Sequence, residues 1–329
     1  MTAPVLVETT RTDVRTGSEV VESRFHGHVV VTGGDGQPIA SLGTPRRPTF
    51  VRSAAKPFQA AAALDLLGGS ATDLSPDLVA VAWASHRGEP AHLEAVGRLC
   101  ELADLDPRDL TCPPARPADD PAAPLAPIHH NCSGKHALFA LAGRVLGIAG
   151  DELIDPAGAL QMRVLDRLER DFGAASSVAI DGCGAPAVEV SLHALAAAYG
   201  RVSTASGRLG DVVAAGFAHP HLVGGRGRIE TALLAHGVVA KVGAAGVYGI
   251  GRAGVGVALK VESGDADAAS TTVHHLVTAL QWFPDGAWLP EPILGGGRPI
   301  GRWRAAPELL GFAERLRSEV GSVARGGHR

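Results

Sequence analysis

Residues 237–264 read GVVAKVGAAGVYGIGRAGVGVALKVESG, three short β-branched runs separated by glycine. Runs of this length and composition form an antiparallel meander, and a meander must find further strands to bury its faces. Residues 25–43, FHGHVVVTGGDGQPIASLG, alternate apolar and polar residues around Gly34-Asp35-Gly36, which predicts a hairpin near the other end of the chain. Between them lie helical stretches. One runs AAKPFQAAAALDLL from Ser53 and stops at Gly68-Gly69, with Ser53 at or near the N-cap and Pro57 in the first turn. Others are expected up to Trp83, on to about Leu105, after Asn131, and near 191–199, 208–218, 229–235 and 266–281. SVAIDGCGAPAVEV reads as a buried strand entering a Gly-rich turn. Strands at both ends with helices between predict an α+β fold in which the N- and C-terminal segments share one antiparallel sheet.

The Pro- and Asp-rich residues 106–127 read as a long connecting loop, not a domain boundary. We therefore expect an N-terminal segment over 1–14, a single catalytic domain over 15–314, and a disordered Arg-rich tail over 315–329. At 329 residues the chain can hold one large core or two lobes sharing a cleft. A net charge of -4 with 4% aromatic residues argues against a nucleic-acid or anionic-membrane surface. No apolar run approaches the ~18 residues of a membrane span, and MTAPVLVETTRTDVR lacks the layout of a secretory signal, so a cytoplasmic location is expected. Four cysteines do not make a disulfide framework in a chain of this size.

The chain has only four lysines among its 30 basic residues: Lys56, Lys135, Lys241 and Lys260. Where an ordinary solvated cation is written as arginine, a lysine points to a need for an amine, which can lose its proton as a guanidinium cannot. Ser53 and Lys56 stand three residues apart, on one helix face, so Lys56 could serve as base for a Ser53 nucleophile. Such a spacing also arises by chance about once in a chain of this length. Lys241-Val242-Gly243 has the lysine-any-glycine form that lines acyl-serine hydrolase clefts, although an edge-strand lysine facing solvent has the same form. Cys132 and Lys135, paired with Cys183, could place two thiolates and a nitrogen around zinc. Two buried thiols beside an anion-binding helix start would read the same way.

Taken together and in this order, RSAAKP, ASH, NCSGKH, DGCGAP, HPHLVGGRGRIET, KVGAAGVYGIG and GVGVALKVESGD resemble the asparaginase II-like family over about residues 15–280. The resemblance implies a fold similar to serine β-lactamases and glutaminases, a homodimer, and hydrolysis of L-asparagine to L-aspartate and ammonia. It implies Ser53 as nucleophile with Lys56 as base, and Ser85 with Lys241 as a second Ser-Lys pair. Cys132, Lys135 and Cys183 would hold zinc with a water. Arg52, Asn131, His136 and Asp181 would line the substrate or metal site, and Lys260 receives no role. The sequence departs from the family's pattern at Arg87-Gly88, at Gly184-Ala185 and in a shorter C-terminal region. The rival expectations are a glutaminase, another Ser-Lys hydrolase of β-lactams or peptide amides, and a zinc-dependent asparagine-binding protein without turnover.

Overall fold

The computed structural model describes residues 2–69 and 74–326. In chain order it contains β1 (Val5–Thr12), β2 (Glu19–Gly33), β3 (Pro38–Leu42), β4 (Pro48–Phe50), α1 (Lys56–Leu67), α2 (Pro76–Ala82) and α3 (Pro90–Leu102). Then follow α4 (Ser133–Leu146), α5 (Ala159–Phe172), β5 (Ser177–Ile180), β6 (Pro186–Ser191), α6 (Leu192–Val202), α7 (Gly207–Ala218), α8 (Pro220–Gly224) and α9 (Ile229–Ala235). The chain ends with β7 (Val239–Gly243), β8 (Val247–Arg252), β9 (Val255–Val261), α10 (Ala266–Ala279), β10 (Ile293–Gly295), β11 (Arg298–Ala305) and α11 (Pro307–Gly326).

This is a mixed helix and antiparallel-sheet architecture. An eight-stranded sheet runs β10-β11-β1-β2-β9-β8-β7, with β3 added on β2, so strands from both ends of the chain meet side by side. The hairpin expected at Gly34-Asp35-Gly36 joins β2 to β3, and the β8 and β9 arms of the meander pair antiparallel. A smaller sheet runs β4-β6-β5.

The chain divides into two compact units. One comprises 1–49, 191–201 and 242–329; the other comprises 50–190 and 202–241. In the first, the sheet is packed by α6, α10 and α11. Its glycine at 256 allows β9 to lie directly on α6, since a Cβ there would stand 1.8 Å from the Ala196 carbonyl oxygen. β1 begins inside the expected N-terminal segment, with Leu6 and Val7 fully buried. Residues 307–326 are helical where a tail was expected from 315, because Leu309, Phe312, Ala313 and Leu316 recur at helical spacing and are buried. Positions 327–329 lie outside the described residues.

The second unit is a helical body built on alanine-rich α1, whose Phe58 packs edge-on against Phe172 of α5 with centroids 4.6 Å apart. The strand expected across SVAIDGCGAPAVEV is instead a pair of strands, and β5 is exposed along its whole length while β6 is largely buried. Residues 106–127 form the expected connection, pinned by one bridge between Ala115 and Ala126. No helix of the described residues is long and apolar enough to cross a membrane.

Candidate active site

Every residue singled out for chemistry, except the roleless Lys260, falls in the second unit. The site begins at a strained corner. After the Val51 N–H bonds to the Val188 carbonyl (3.1 Å), Arg52 takes φ +50, a left-handed conformation that costs a residue with a side chain roughly 1–3 kcal/mol. Arg52 is held there by Asp181, whose Oδ1 accepts from Arg52 Nε (2.8 Å) and Nη2 (2.7 Å) and from the Gly182 N–H (2.6 Å). Burial pushes the Asp181 carboxyl up, but these bonds outweigh it and leave it below its ordinary value. Ser53 then lies in a single 3₁₀ turn, Arg52–Ala55, and the α-helix proper opens at Lys56 with Ala55 as its N-cap. Ser53, expected at or near the N-cap, therefore lies two residues ahead of the observed cap, and it is partly exposed.

Lys56 is 1% exposed, and its amine has three acceptors: the Ala84 carbonyl, the Asn131 carbonyl at 3.2 Å and Ser85 Oγ at 3.1 Å. Among the described residues no hydrogen bond joins it to Ser53 Oγ, so the expected pairing is not formed at rest. The second expected pair is formed. Lys241 on β7 is fully buried and places Nζ 2.7 Å from Ser85 Oγ. Desolvation, and then the charge of Lys56, hold the Lys241 amine well below the ordinary lysine range. Ser85 sits just beyond the end of α2, anchored by its N–H on the Val223 carbonyl at 3.0 Å. One hydroxyl is thus flanked by two lysine amines.

Beside it, Cys132 caps α4 and buries its thiol against Cys183. α4 can enter here because Gly134 has no side chain: a Cβ would come 2.2 Å from the Val81 carbonyl oxygen of α2. Lys135, 2% exposed, points Nζ at Cys183 Sγ (3.2 Å) and lies over the Phe139 ring, 5.3 Å from its centroid. The Cys183 thiol donates to Cys132, which with the nearby Lys56 and Lys135 amines holds Cys132 well below the usual thiol range. Cys183 is raised in turn, by that same hydrogen bond and by burial. Cys132 Sγ also lies 3.2 Å from Asn131 Oδ1. His136 shares a hydrogen bond through Nδ1 with Thr111 Oγ1 (2.7 Å), while its Nε2 is buried without a well-formed bond, with the Cys183 thiol in reach. Burial pushes His136 down to about 4.

Among the described residues no three His, Cys, Asp or Glu side chains are grouped to hold a metal. The possible donors are two sulfurs and one amine, with an orphaned imidazole nitrogen alongside. That chemistry suits zinc with a fourth position left open, provided Lys135 gives up its proton: burial works to remove it, but Cys183 and Cys132 outweigh that and hold it more firmly than usual.

Sequence reasoning passed over four groups. Glu230 is fully buried at the start of α9, 3.3 Å from Arg228 Nη2, and its charge opposes the desolvation of Lys241. His86, His92 and Thr111 are the others. His86 stood inside the quoted ASH stretch, but a lone histidine carries no metal spacing; Glu230 stood inside RGRIET, where nothing local distinguishes it from a surface residue.

No curated protein matches the chain. Among solved structures, one described as "Crystal Structure Analysis of Mglu in its glutamate form" is similar at 15% identity with a TM-score of 0.38, over 79% of this chain and 62% of that chain. The model of the family described as L-asparaginase II matches residues 10–305, and the chain that carries the Ser85, Lys56 and Lys241 cluster therefore belongs to the L-asparaginase II family.

Proposed function

We propose that this chain hydrolyses the side-chain amide of L-asparagine to L-aspartate and ammonia through a serine acyl-enzyme, on a fold of the serine β-lactamase and glutaminase kind. Family membership supports the substrate class. The observation that carries the chemistry is Ser85 Oγ lying 2.7 Å from Lys241 Nζ and 3.1 Å from Lys56 Nζ. With three acceptors around it, the Lys56 amine has no lone pair directed at Ser53. Lys241, desolvated, is the amine suited to accept a proton. Ser85 connects them: it passes its proton to Lys241 and takes one from Lys56. The net result moves one proton from Lys56 to Lys241 and frees a Lys56 lone pair for the Ser53 hydroxyl. Ser53 Oγ then bonds to the amide carbon, the tetrahedral adduct expels ammonia with a proton returned through the same chain, and water cleaves the ester.

Arg52, fixed by Asp181, offers a guanidinium beside Ser53 for a substrate carboxylate. Asn131 and His136 complete the polar lining. Cys132, Cys183 and Lys135 would hold a zinc ion. Bound there, zinc would supply a fixed positive charge that orients substrate, since two thiolates leave its water less acidified than an all-histidine site would. The homodimer and the cytoplasmic location implied by the sequence belong to the same proposal.

Ammonia release from L-asparagine, L-glutamine and a chromogenic β-lactam, measured in parallel, tests the reading. Turnover of asparagine above the other two is expected. Preference for glutamine or the β-lactam would move the enzyme to a different Ser-Lys class, and binding of asparagine without ammonia release would make it a sensor.

A further inference from the structure

His86 follows Ser85 and is 3% exposed. Its two ring nitrogens have fixed and opposite roles. The Gly88 N–H donates to Nδ1 (3.1 Å), so Nδ1 carries no proton. Ser133 Oγ lies 2.8 Å from Nε2 and must itself donate to the Ile128 carbonyl, also at 2.8 Å, so Nε2–H is the donor to Ser133. The ring stacks on His92, with centroids 5.1 Å apart at 18°, and His92 is locked in the same tautomer: Nδ1 accepts from the Glu89 N–H (3.2 Å) and Nε2 donates to the His221 carbonyl (2.9 Å). A charged imidazole has no place here. Burial holds His86 well below its ordinary value, and any positive charge on the neighbouring His92 or Lys56 pushes it further down.

Ser133 is the first residue of α4, directly after Cys132, and Ser85 directly precedes His86. We propose that His86 is a positioning residue: its Nε2–H bond to Ser133 Oγ ties the turn carrying Ser85 to the start of the helix carrying Cys132 and Lys135. One cross-link thereby sets the Ser85 hydroxyl between its two lysines and the Cys132 thiol beside Cys183. The effect on turnover rests on the asparaginase reading; the effect on Cys132 does not.

Two substitutions separate this from a merely local role in the Ser85 turn. His86→Asn can present an oxygen where Nδ1 stood, keeping the Gly88 bond, but does not reach Ser133. His86→Gln reaches the Nε2 position and keeps the donor to Ser133, but loses the Gly88 bond. After circular dichroism confirms folding, kcat for asparagine should fall about 10²-fold in His86→Asn at little-changed KM, the size expected for a misplacement near 1 Å. His86→Gln should rescue it to within about threefold of wild type. Ser133→Ala should reproduce the Asn loss, and Ser133→Thr, which keeps the hydroxyl, should restore most of it. Loss in Gln with retention in Asn would overturn the proposal.

Alkylation of Cys132 by iodoacetamide in chelator-treated protein gives a readout independent of turnover. It should speed up several-fold in His86→Asn and Ser133→Ala but not in His86→Gln. Equal rates in all of them would overturn the cross-link. Absence of asparagine hydrolysis in the wild type, with the alkylation pattern intact, would instead sink the proposed function and leave the positioning role standing.

Discussion

Lys241 on β7 and Lys260 on β9 are both lysines of short strands in a chain that writes nearly every other cation as arginine, yet they live in opposite environments. Lys241 is fully buried with its amine on a serine hydroxyl. Lys260 is partly exposed and spends its protons on the carbonyls of Ala245 (2.8 Å) and Val261 (2.6 Å). Both are pulled below the ordinary lysine value by burial, but for Lys260 the carboxylate of Glu262 opposes the shift as the next largest influence, whereas for Lys241 the next is the charge of Lys56, which adds to it. Lys260 holds backbone near the surface; Lys241 is kept dry beside a second amine, that of Lys56. Glu8, 5% exposed, is clasped by Arg24 and Arg304 in the first unit, while Glu230 in the second is buried near Lys241.

The contrast can be broken by substitution. Ser53→Ala should show the largest effect, a fall of several orders of magnitude in asparagine turnover with the fold kept, as measured by ammonia release. Lys56→Arg keeps charge and Lys241→Arg forces a permanent charge into the buried position, but both remove a base, and each should cost ~10²- to 10⁴-fold in rate. Lys241→Met should lose turnover as well, yet raise thermal stability at neutral pH, because it removes an amine that folding must desolvate. The sign is checked by the pH dependence. The folded pKa of Lys241 lies below its unfolded value, so the unfolded chain binds more protons between the two, and stability rises with pH across that window. That slope should be missing in Lys241→Met, and wild-type turnover should fall as pH drops through the lowered value.

A smaller change is expected for metal. Purified protein should carry about one zinc per chain, and Cys132→Ser combined with Cys183→Ser should lose it; full zinc in the double variant would place the ligands elsewhere. Smallest of all, Lys260→Arg should be silent within about twofold, since a guanidinium can donate to the same two carbonyls. A loss at Lys260 matching that at Lys241 would erase the distinction.

Unusual burial was legible where composition made a residue costly to explain otherwise. Scarce lysine singled out Lys56, Lys135 and Lys241, and all three amines prove buried. The sheet was legible at the meander and the Gly34-Asp35-Gly36 hairpin, where alternation and turn residues agree. It was not at β10, only three residues long, or at β11, a largely unburied stretch broken by proline, glycine and arginine, where pairing with β1 decides the conformation rather than local pattern. The Ser53 to Lys56 spacing shows the same limit. A three-residue spacing puts both on one face of an ideal helix, but the strained Arg52 corner starts a 3₁₀ turn, and Lys56 reaches instead for Ser85, 29 residues on. Nothing local encodes a contact at that separation.

The central claim is that a serine of this cluster forms an acyl-enzyme with asparagine, and that the serine is Ser53. The direct measurement is mass spectrometry of protein mixed with L-asparagine and quenched in acid, followed by peptide mapping. An aspartyl adduct is expected on the peptide containing Ser53, absent in Ser53→Ala and present in Ser85→Ala at a reduced rate of formation. An adduct mapped to Ser85, or undiminished ammonia release from Ser53→Ala, would contradict it.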